Sequence, residues 1–573
     1  MQRSWHPVMA LYLCALVGVA LVHVSYLAFH GWGESLLPAY HQSDAYYYNA
    51  KAWYLSQFPG ADSVINQVVP ESLYVDALAL CYRVFGSHAW VPFLLNGICF
   101  ALSAGCMGHT TRLLFGSAAA YCAITLVCLC GPLVFFAGLT LKTLWALWLI
   151  SAGVLCLVAY GRQQRVVLFS LGLLLIGLAA IERSNIAVVA LVAVTTLYRG
   201  SAADGLLVRL GRTALVFGTP VVILMWLSGW NPGAVEQEFF APVGLNIYVG
   251  NAPGSKGGYT SLTEIPNSLY GHRLMAVPYV EKELGRPVTR AEASWFWIEK
   301  SLDYYSDHPV EYLGLLLRKV GLLFAALTPN SPEQYRVWRW ENPVLSVTLV
   351  DWSVIWALSV VGFLLSWRVM DQVLLRFFVG SAVTYALTLF LFFVFARYRF
   401  ALLPLLIPFA GWGVVAIWNR LRQRQGYKIA ASVVALTALG QAMMYTIPAG
   451  DAWTSDQAAY RSRELELMEQ IQPRYRARHE AANGGSAASW EGLSRREAIG
   501  DHRRDALLSA ERAIEMEPGN QRYYLNFMGI ARKVELENPE ARLELLLSRA
   551  PEPFRSSVEA ARLLGYAKQT GGR

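Results

Sequence analysis

One acidic residue sits among aromatic rings near the start of the chain. It is Asp44, in HQSDAYYYNAKAW (41–53), followed by Tyr46, Tyr47, Tyr48 and Lys51. A carboxylate that neighbouring rings shield from water is a good proton acceptor, which is the chemistry of a general base. The bland alternative is a solvated loop leading into an interfacial helix. Positive charge is offered elsewhere: Lys142 in AGLTLKTLW, Arg183 beside Glu182 and Asn185 in GLAAIERSNIAVV, and Arg397 and Arg399 in RYRFALLPLLIPFAG. Guanidinium forks suit phosphate oxygens, and an ammonium serves as a point charge. A glycine-rich segment, VGLNIYVGNAPGSKGGY (243–259), adds Asn251, Lys256 and Tyr259. Its backbone N–H groups from Asn251 to Gly258 are expected to approach an anion, because glycine presents no side chain. For each cation the competing reading is a side chain that snorkels to the membrane surface as an anchor. That reading is adopted for Arg420, Arg422 and Arg424.

The elements that hold these residues are membrane helices. The 573 residues are 55% hydrophobic and 15% charged, with mean hydropathy +0.35, against about 25% charged in a soluble domain. Apolar runs fall near 8–29, 89–108, 118–137, 142–160, 166–181, 186–198, 213–230, 312–328, 346–366, 374–395, 400–418 and 429–447. The first is long for a cleaved signal and reads as a retained span. The net charge of +8 is concentrated in short loops, as the positive-inside rule asks of cytoplasmic segments, and does not point to nucleic acid. Placing the basic loops at 161–165, 199–212 and 419–428 inside puts 30–88 and 231–311 outside. Parity then requires that 312–328, with Arg318 and Lys319 at its middle, lie in the interface without crossing. The result is a mainly α, polytopic helical membrane protein of about eleven spans with amphipathic interfacial helices. A twelfth span and a cytoplasmic C-terminus is the alternative. The eight cysteines lie mostly in apolar runs, without metal or disulfide spacing, and read as small core residues.

Within the outer segments, Tyr74, Leu78 and Tyr82 form a stripe at helical spacing in LYVDALALCYRVFG. The second segment continues with GHRLMAVPYVEKELGRPVTRAEASWFWIEK, read as two helices in which Glu292, Trp295, Trp297 and Lys300 cover a cavity. Its tryptophans either stack on a ligand or anchor at the interface. The membrane domain is assigned to 1–447, with outer loops 30–88 and 231–345, a linker to 448–500, and a small α-helical domain to 501–573. There, ALLSAERAIEMEP (506–518) resembles one tetratricopeptide repeat, with Ala513 and Pro518 in the matching places; a plain helical hairpin accounts for it as well.

Four segments together resemble a family of membrane glycosyltransferases, the GT-C type, and within it glycosyltransferase family 39, the protein O-mannosyltransferase and aminoarabinose transferase group. They are the Asp44–Tyr48 stretch with Pro70, Leu73, Tyr74, Phe85 and Gly86; the Arg183-Ser184-Asn185 stretch; the glycine-rich loop; and the Arg-Tyr-Arg-Phe segment at Arg397. His308, Pro309 and Tyr312 resemble the family's entry to a partly buried helix. The resemblance spans roughly 8–447 and implies transfer of a hexose or pentose from a polyprenyl phosphate or pyrophosphate to a lipid, glycan or protein acceptor. It places the site on the periplasmic face of a bacterial inner membrane.

It also implies Asp44 as the base. Tyr48, Lys51, Lys142, Arg183, Asn251, Lys256, Tyr259, Arg397 and Arg399 would then bind substrate, with Lys319 and Arg318 as further phosphate contacts. Relatives carry a second acid where Lys142 stands, which argues against a metal. A divalent cation, Mg²⁺ or Mn²⁺, would need Asp44 joined by Glu71 or Glu182. Other expected partners are membrane lipids and a protein met through the C-terminal helices. The competing readings are a lipid or glycan transporter, against which no internal repeat is visible, and a scaffold built around the repeat-like tail.

Overall fold

A computed structural model describes residues 6–30, 44–57, 72–88, 90–197, 241–260, 262, 264–265, 271–326, 335, 339, 342–348, 350–424 and 426–446 of the membrane part. In the C-terminal part it describes 503–518, 520, 523–524, 526–527, 539–549 and 551. Glu71, Pro70, the basic loop 199–212, the apolar run 213–230 and the linker lie outside the described residues. The chain divides into two compact units, 1–451 and 452–573.

The first unit is mainly helical among its described residues. In chain order its helices are α1 His6–His30, α2 Asp44–Gln57, α3 Leu73–Phe85, α4 Trp90–Phe115, α5 Ser117–Cys128, α6 Gly131–Ala137, α7 Thr143–Gln163, α8 Val166–Glu182 and α9 Ala187–Leu197. There follow α10 Ala241–Asn251, α11 Ala276–Leu284, α12 Arg290–Asp307, α13 Pro309–Phe324, α14 Pro343–Val347, α15 Trp352–Ser366, α16 Gln372–Leu391, α17 Leu403–Arg422 and α18 Tyr427–Thr446. Among the described residues, five helices are long and apolar enough to cross a membrane: His6–Ala28, Trp90–Phe115, Thr143–Gln163, Gln372–Leu391 and Ala396–Arg422. Five shorter apolar helices match the remaining described runs of the sequence, 312–328 apart. They are helices because lipid offers no backbone partners, so carbonyls and N–H groups are satisfied inside the segment, and they are apolar because their side chains meet hydrocarbon or one another.

Two runs depart from simple spans. The predicted run 118–137 is broken at Leu129 and Cys130, where Gly131 N–H bonds to Val350 O at 3.0 Å. The segment 312–328 becomes α13, which is two-sided. Leu315, Lys319, Leu322 and Leu323 are buried, while Val310, Leu313, Leu317 and Val320 are exposed. The core lies between α1, α4, α5, α7, α15 and α17, with Phe135, Phe136, Leu144, Ile150, Ile355 and Ile407 wholly buried. Cys99, Cys106, Cys128 and Cys130 are buried and all eight thiols are free.

The helices α3 and α12 are built by capping. Ser72 caps α3, its Oγ accepting from Val75 N–H. Thr289 and Glu292 form a reciprocal capping box at the start of α12, the arrangement that satisfies two orphan N–H donors at once. Glu292, expected to cover a cavity, is therefore a helix cap that also pairs with Arg286 at 3.0 Å. Trp297 is wholly buried between Tyr248 and Tyr279, while Trp295 is exposed.

The second unit contains the helices Arg503–Met516 and Pro539–Ser548. Ala513 and Ile514 are buried, Arg542 forks onto both oxygens of Glu511 at 2.7 Å, and Tyr524 donates to Pro518 O at 2.9 Å.

Candidate active site

Asp44 is the first residue of α2 and Arg397 lies in a single helical turn, Ala396–Arg399, between α16 and α17. Arg397 Nη2 donates to Asp44 Oδ2 although 353 residues separate them. The turn itself is held by Arg183, the residue that ends α8. Its Nη1 donates to the carbonyl of Arg397 at 2.9 Å, its Nη2 to Thr143 Oγ1 at 3.1 Å, and its guanidinium lies 4.5 Å from the Tyr398 ring centroid. Tyr385 donates to Tyr398 O at 2.8 Å. The backbone carrying Arg397 is thus pinned by groups from α7, α8 and α16.

Glu182, one residue before Arg183, is buried and engages both of its oxygens. Oε2 accepts from Ser72 Oγ at 2.8 Å and lies 3.8 Å from Lys142 Nζ; Oε1 accepts from Tyr74 N–H at 2.9 Å. A carboxylate at the first turn of α3 accepts orphan N–H groups and complements the helix dipole, so Glu182 fastens the outer helix α3 to the end of α8. Lys142 stands beside it, 5.6 Å from the Tyr48 ring centroid. Tyr48 is buried; burial first, then the charge of Asp44, pushes its phenol well above the ordinary range.

The glycine-rich segment contributes Tyr259, whose hydroxyl lies 3.0 Å from His272 Nε2, with its ring edge-on to Phe393. Burial pushes Tyr259 up, and the Asp44 charge adds to this. Burial lowers His272 to about 4, against the opposing pull of Asp44, with Arg273 lowering it further. At neutral pH His272 is therefore uncharged. Farther out, Lys300 bonds Glu264 at 2.7 Å inside a box of Tyr248, Trp297 and Tyr279, 5.1 to 5.7 Å from their centroids. Burial raises the Glu264 carboxyl, yet hydrogen bonds from Lys300 and Tyr248 leave it below the usual range.

Of the residues singled out in the sequence, Asp44, Tyr48, Lys142, Arg183, Tyr259 and Arg397 meet in this one region. Lys51 is buried on α2, and Lys256 is half-buried on the glycine-rich loop. Two others do not join. Arg399, two residues from Arg397, points the opposite way, its Nη1 donating to Leu322 O at 3.0 Å, Leu323 O at 3.4 Å and Ala325 O at 2.6 Å. Asn251 donates to Ile247 O at 2.7 Å and Leu391 O at 2.9 Å, and accepts from Lys319 Nζ. Both are engaged by backbone, because each lies at a helix end whose last carbonyls need donors.

Lys319, expected at a lipid phosphate, is wholly buried and uses its donors internally, whereas Arg318 is exposed. Gly244, Gly250 and Gly257 serve packing, since a Cβ on Gly250 would meet Phe392 O at 1.8 Å, whereas Gly254 at φ +74 has nothing within 4 Å of that position. Residues the sequence reading left without a part are Tyr398, Thr143 and His272; the first two stand beside residues already singled out.

Comparison with known proteins adds a likeness of fold. The chain is similar to solved structures of an oligosaccharyltransferase from Archaeoglobus fulgidus. One is the archaeal oligosaccharyltransferase AglB in complex with an inhibitory peptide and a dolichol-phosphate, at 14% identity and TM-score 0.40, covering 78% of this chain and 55% of that one. Another is tethered with an acceptor peptide containing the NVT sequon, at 13% identity and TM-score 0.40, covering 77% of this chain and 55% of that one. The chain thus spans about half the length of the solved chains it matches. No family model matches the chain, and no curated protein does.

A divalent cation fits poorly among the described residues. No group of three His, Cys, Asp or Glu side chains comes together among them. Asp44 faces Arg397, and Glu182 is engaged by Ser72, Tyr74 and Lys142.

Proposed function

We propose that the chain transfers a sugar from a polyprenyl-phosphate carrier to an acceptor at the non-cytoplasmic face of the membrane, with Asp44 as general base. The observation that carries this reading is the meeting of Asp44 with Arg397, across 353 residues of chain, in a setting where Arg183 and Lys142 are the adjacent cations. The reaction needs a base and a phosphate-binding cation in one site, facing the anomeric carbon from opposite sides during displacement. One takes the acceptor's proton, and the other stabilises the leaving phosphate.

Paired as they are, the two groups neutralise each other. When the carrier's phosphate takes the Arg397 fork, Asp44 is released to accept a proton from the incoming hydroxyl or amine. The acceptor oxygen or nitrogen then bonds to the anomeric carbon, the bond to the phosphate oxygen breaks, and the phosphate leaves with the electron pair. Direct displacement with inversion needs one carboxylate, whereas retention needs a second as nucleophile. The neighbouring carboxylate, Glu182, is occupied by Ser72, Tyr74 and Lys142, which favours inversion. Tyr48 and Tyr259, both protonated at neutral pH, supply ring faces and hydroxyls beside the base.

The test is Asp44→Asn, assayed for transfer from a radiolabelled polyprenyl-phosphate sugar in membranes where insertion is verified. Loss of a positioned base is expected to slow transfer about 10²–10⁴-fold. Undiminished transfer overturns the assignment of Asp44.

A further inference from the structure

Arg397 has the most demanding part in the reading above, and its backbone is held from both sides by α13. On the upstream side, Lys319 of α13 reaches the C-terminal end of α16. Its Nζ donates to Phe390 O, Phe392 O and Asn251 Oδ1, each at 2.8 Å. On the downstream side, Arg399 reaches back to the C-terminal end of α13, donating to the carbonyls of Leu322, Leu323 and Ala325. Each cation therefore occupies a helix C-terminus, Lys319 that of α16 and Arg399 that of α13, where unpaired carbonyls and the helix dipole favour positive charge.

The ammonium of Lys319 has three donors and three acceptors, so nothing remains for a substrate. The glycine-rich loop is shaped around it. Gly257 has φ +89, and a Cβ there would meet Lys319 Cγ at 2.9 Å. With its carbonyl, Gly257 accepts from Val394 N–H at 3.0 Å. Residues 390–394 are thereby fixed by Lys319 and its loop, and residue 399 by its own bonds to α13. Arg397 lies between these two fixed points.

We propose that Lys319 is a positioning residue of the donor-phosphate site: through the carbonyls of Phe390 and Phe392 it sets the backbone from which Arg397 reaches the phosphate. The inference rests on the reading that Arg397 binds the carrier's phosphate.

The experiment measures binding of a polyprenyl monophosphate, and of the polyprenol with the same tail, to the full chain in lipid nanodiscs. Wild type, Lys319→Met, Arg397→Ala and the double variant are compared. Each single change is expected to weaken the phosphate about tenfold or more, as loss of a charged hydrogen bond would. Polyprenol binding should stay the same. The double variant should be no more than about twofold weaker than Arg397→Ala, since both act through one group.

Independent, multiplying losses overturn the brace, as does an equal loss of polyprenol binding or wild-type phosphate binding by Lys319→Met. Wild-type binding by Arg397→Ala is a different failure: it removes the phosphate reading itself, and the brace with it. Should Lys319→Met not fold, Lys319→Gln takes its place: its shorter side chain has two N–H donors for the three acceptors, so a smaller but still phosphate-selective loss is expected. Amide hydrogen exchange over 392–399 is expected to be faster in either variant, and unchanged exchange refutes the brace.

Discussion

Replacing Arg399 by leucine separates a structural cation from a substrate-binding one. The side chain is buried at 3% exposure and its Nη1 donates to three carbonyls. Leu323 O keeps a second donor, Trp352 Nε1 at 2.6 Å, so only Leu322 O and Ala325 O lose theirs. A buried carbonyl left without a partner costs about 1–3 kcal/mol. The stacking of the guanidinium 4.9 Å from the Trp352 ring centroid adds about 1–2 kcal/mol in a desolvated setting. Leucine also removes a charge whose burial is itself costly. The net loss is expected to be about 3–5 kcal/mol, the range for breaking a buried network. Arg399→Leu should therefore lose its monodisperse fraction at a clearly lower temperature than wild type in a heating series in detergent. The fraction that remains folded should bind polyprenyl phosphate more weakly, because the bonds of Arg399 to α13 are one of the two fixed points about Arg397, but never without the loss of stability. A wild-type midpoint combined with specific loss of phosphate binding would refute the reasoning, and would return Arg399 to the binding role that its place beside Arg397 suggests.

Two further outcomes follow from the outer segment. Because His272 is lowered from 6.5 to about 4, the unfolded chain holds a proton there more readily than the folded one between those values. Its contribution to stability is complete above pH 6.5 and falls away as the pH drops toward 4. Limited proteolysis of the second outer segment should thus quicken on acidification more in wild type than in His272→Gln, and parallel profiles would exclude the effect. Gly250→Ala should undock α10 from the end of α16, because the methyl group meets backbone, Phe392 O at 1.8 Å, which cannot turn aside. Its thermal midpoint should fall by more than that of an ordinary helical glycine-to-alanine change, which otherwise stabilises by about 0.4–1 kcal/mol; a midpoint at or above wild type would contradict the packing.

Much of the helical frame was legible in the sequence, since a membrane span is written as a continuous apolar run and depends little on distant residues. The break at Leu129 and Cys130 was passed over because the run 118–137 is apolar straight through it, although Gly131-Pro132 marks it: proline has no N–H for the carbonyl four residues back and suits the start of a new helix, and the bond of Gly131 to Val350 completes the corner. At the site, residue type and place in a motif singled out Asp44, Arg183 and Arg397, which lie together in the fold. Orientation was hidden. Arg397 and Arg399 look equivalent in RYRF, yet within one helical turn they point to opposite sides, one to a carboxylate and the other to carbonyls. The glycines of 243–259 suggested an anion cradle, because the same absence of a side chain that admits a phosphate also admits a neighbouring helix end. Glu182 was noticed only as a helper for a metal. Its task as the cap of α3 depends on a partner 108 residues away that no local pattern announces.

Those separations bear on how the chain is made. A ribosome completes α3 about a hundred residues before it supplies Glu182, and Asp44 leaves the exit tunnel long before its partner 353 residues later. During synthesis Asp44 therefore stands without its counter-charge until nearly the whole first unit has been made. Closing contacts of such length is the slow part of folding, and a chain halted or misinserted at any span between α2 and α17 is left without the pair. The active arrangement thus doubles as a record of completed biogenesis: only a fully threaded chain brings Asp44 and Arg397 together.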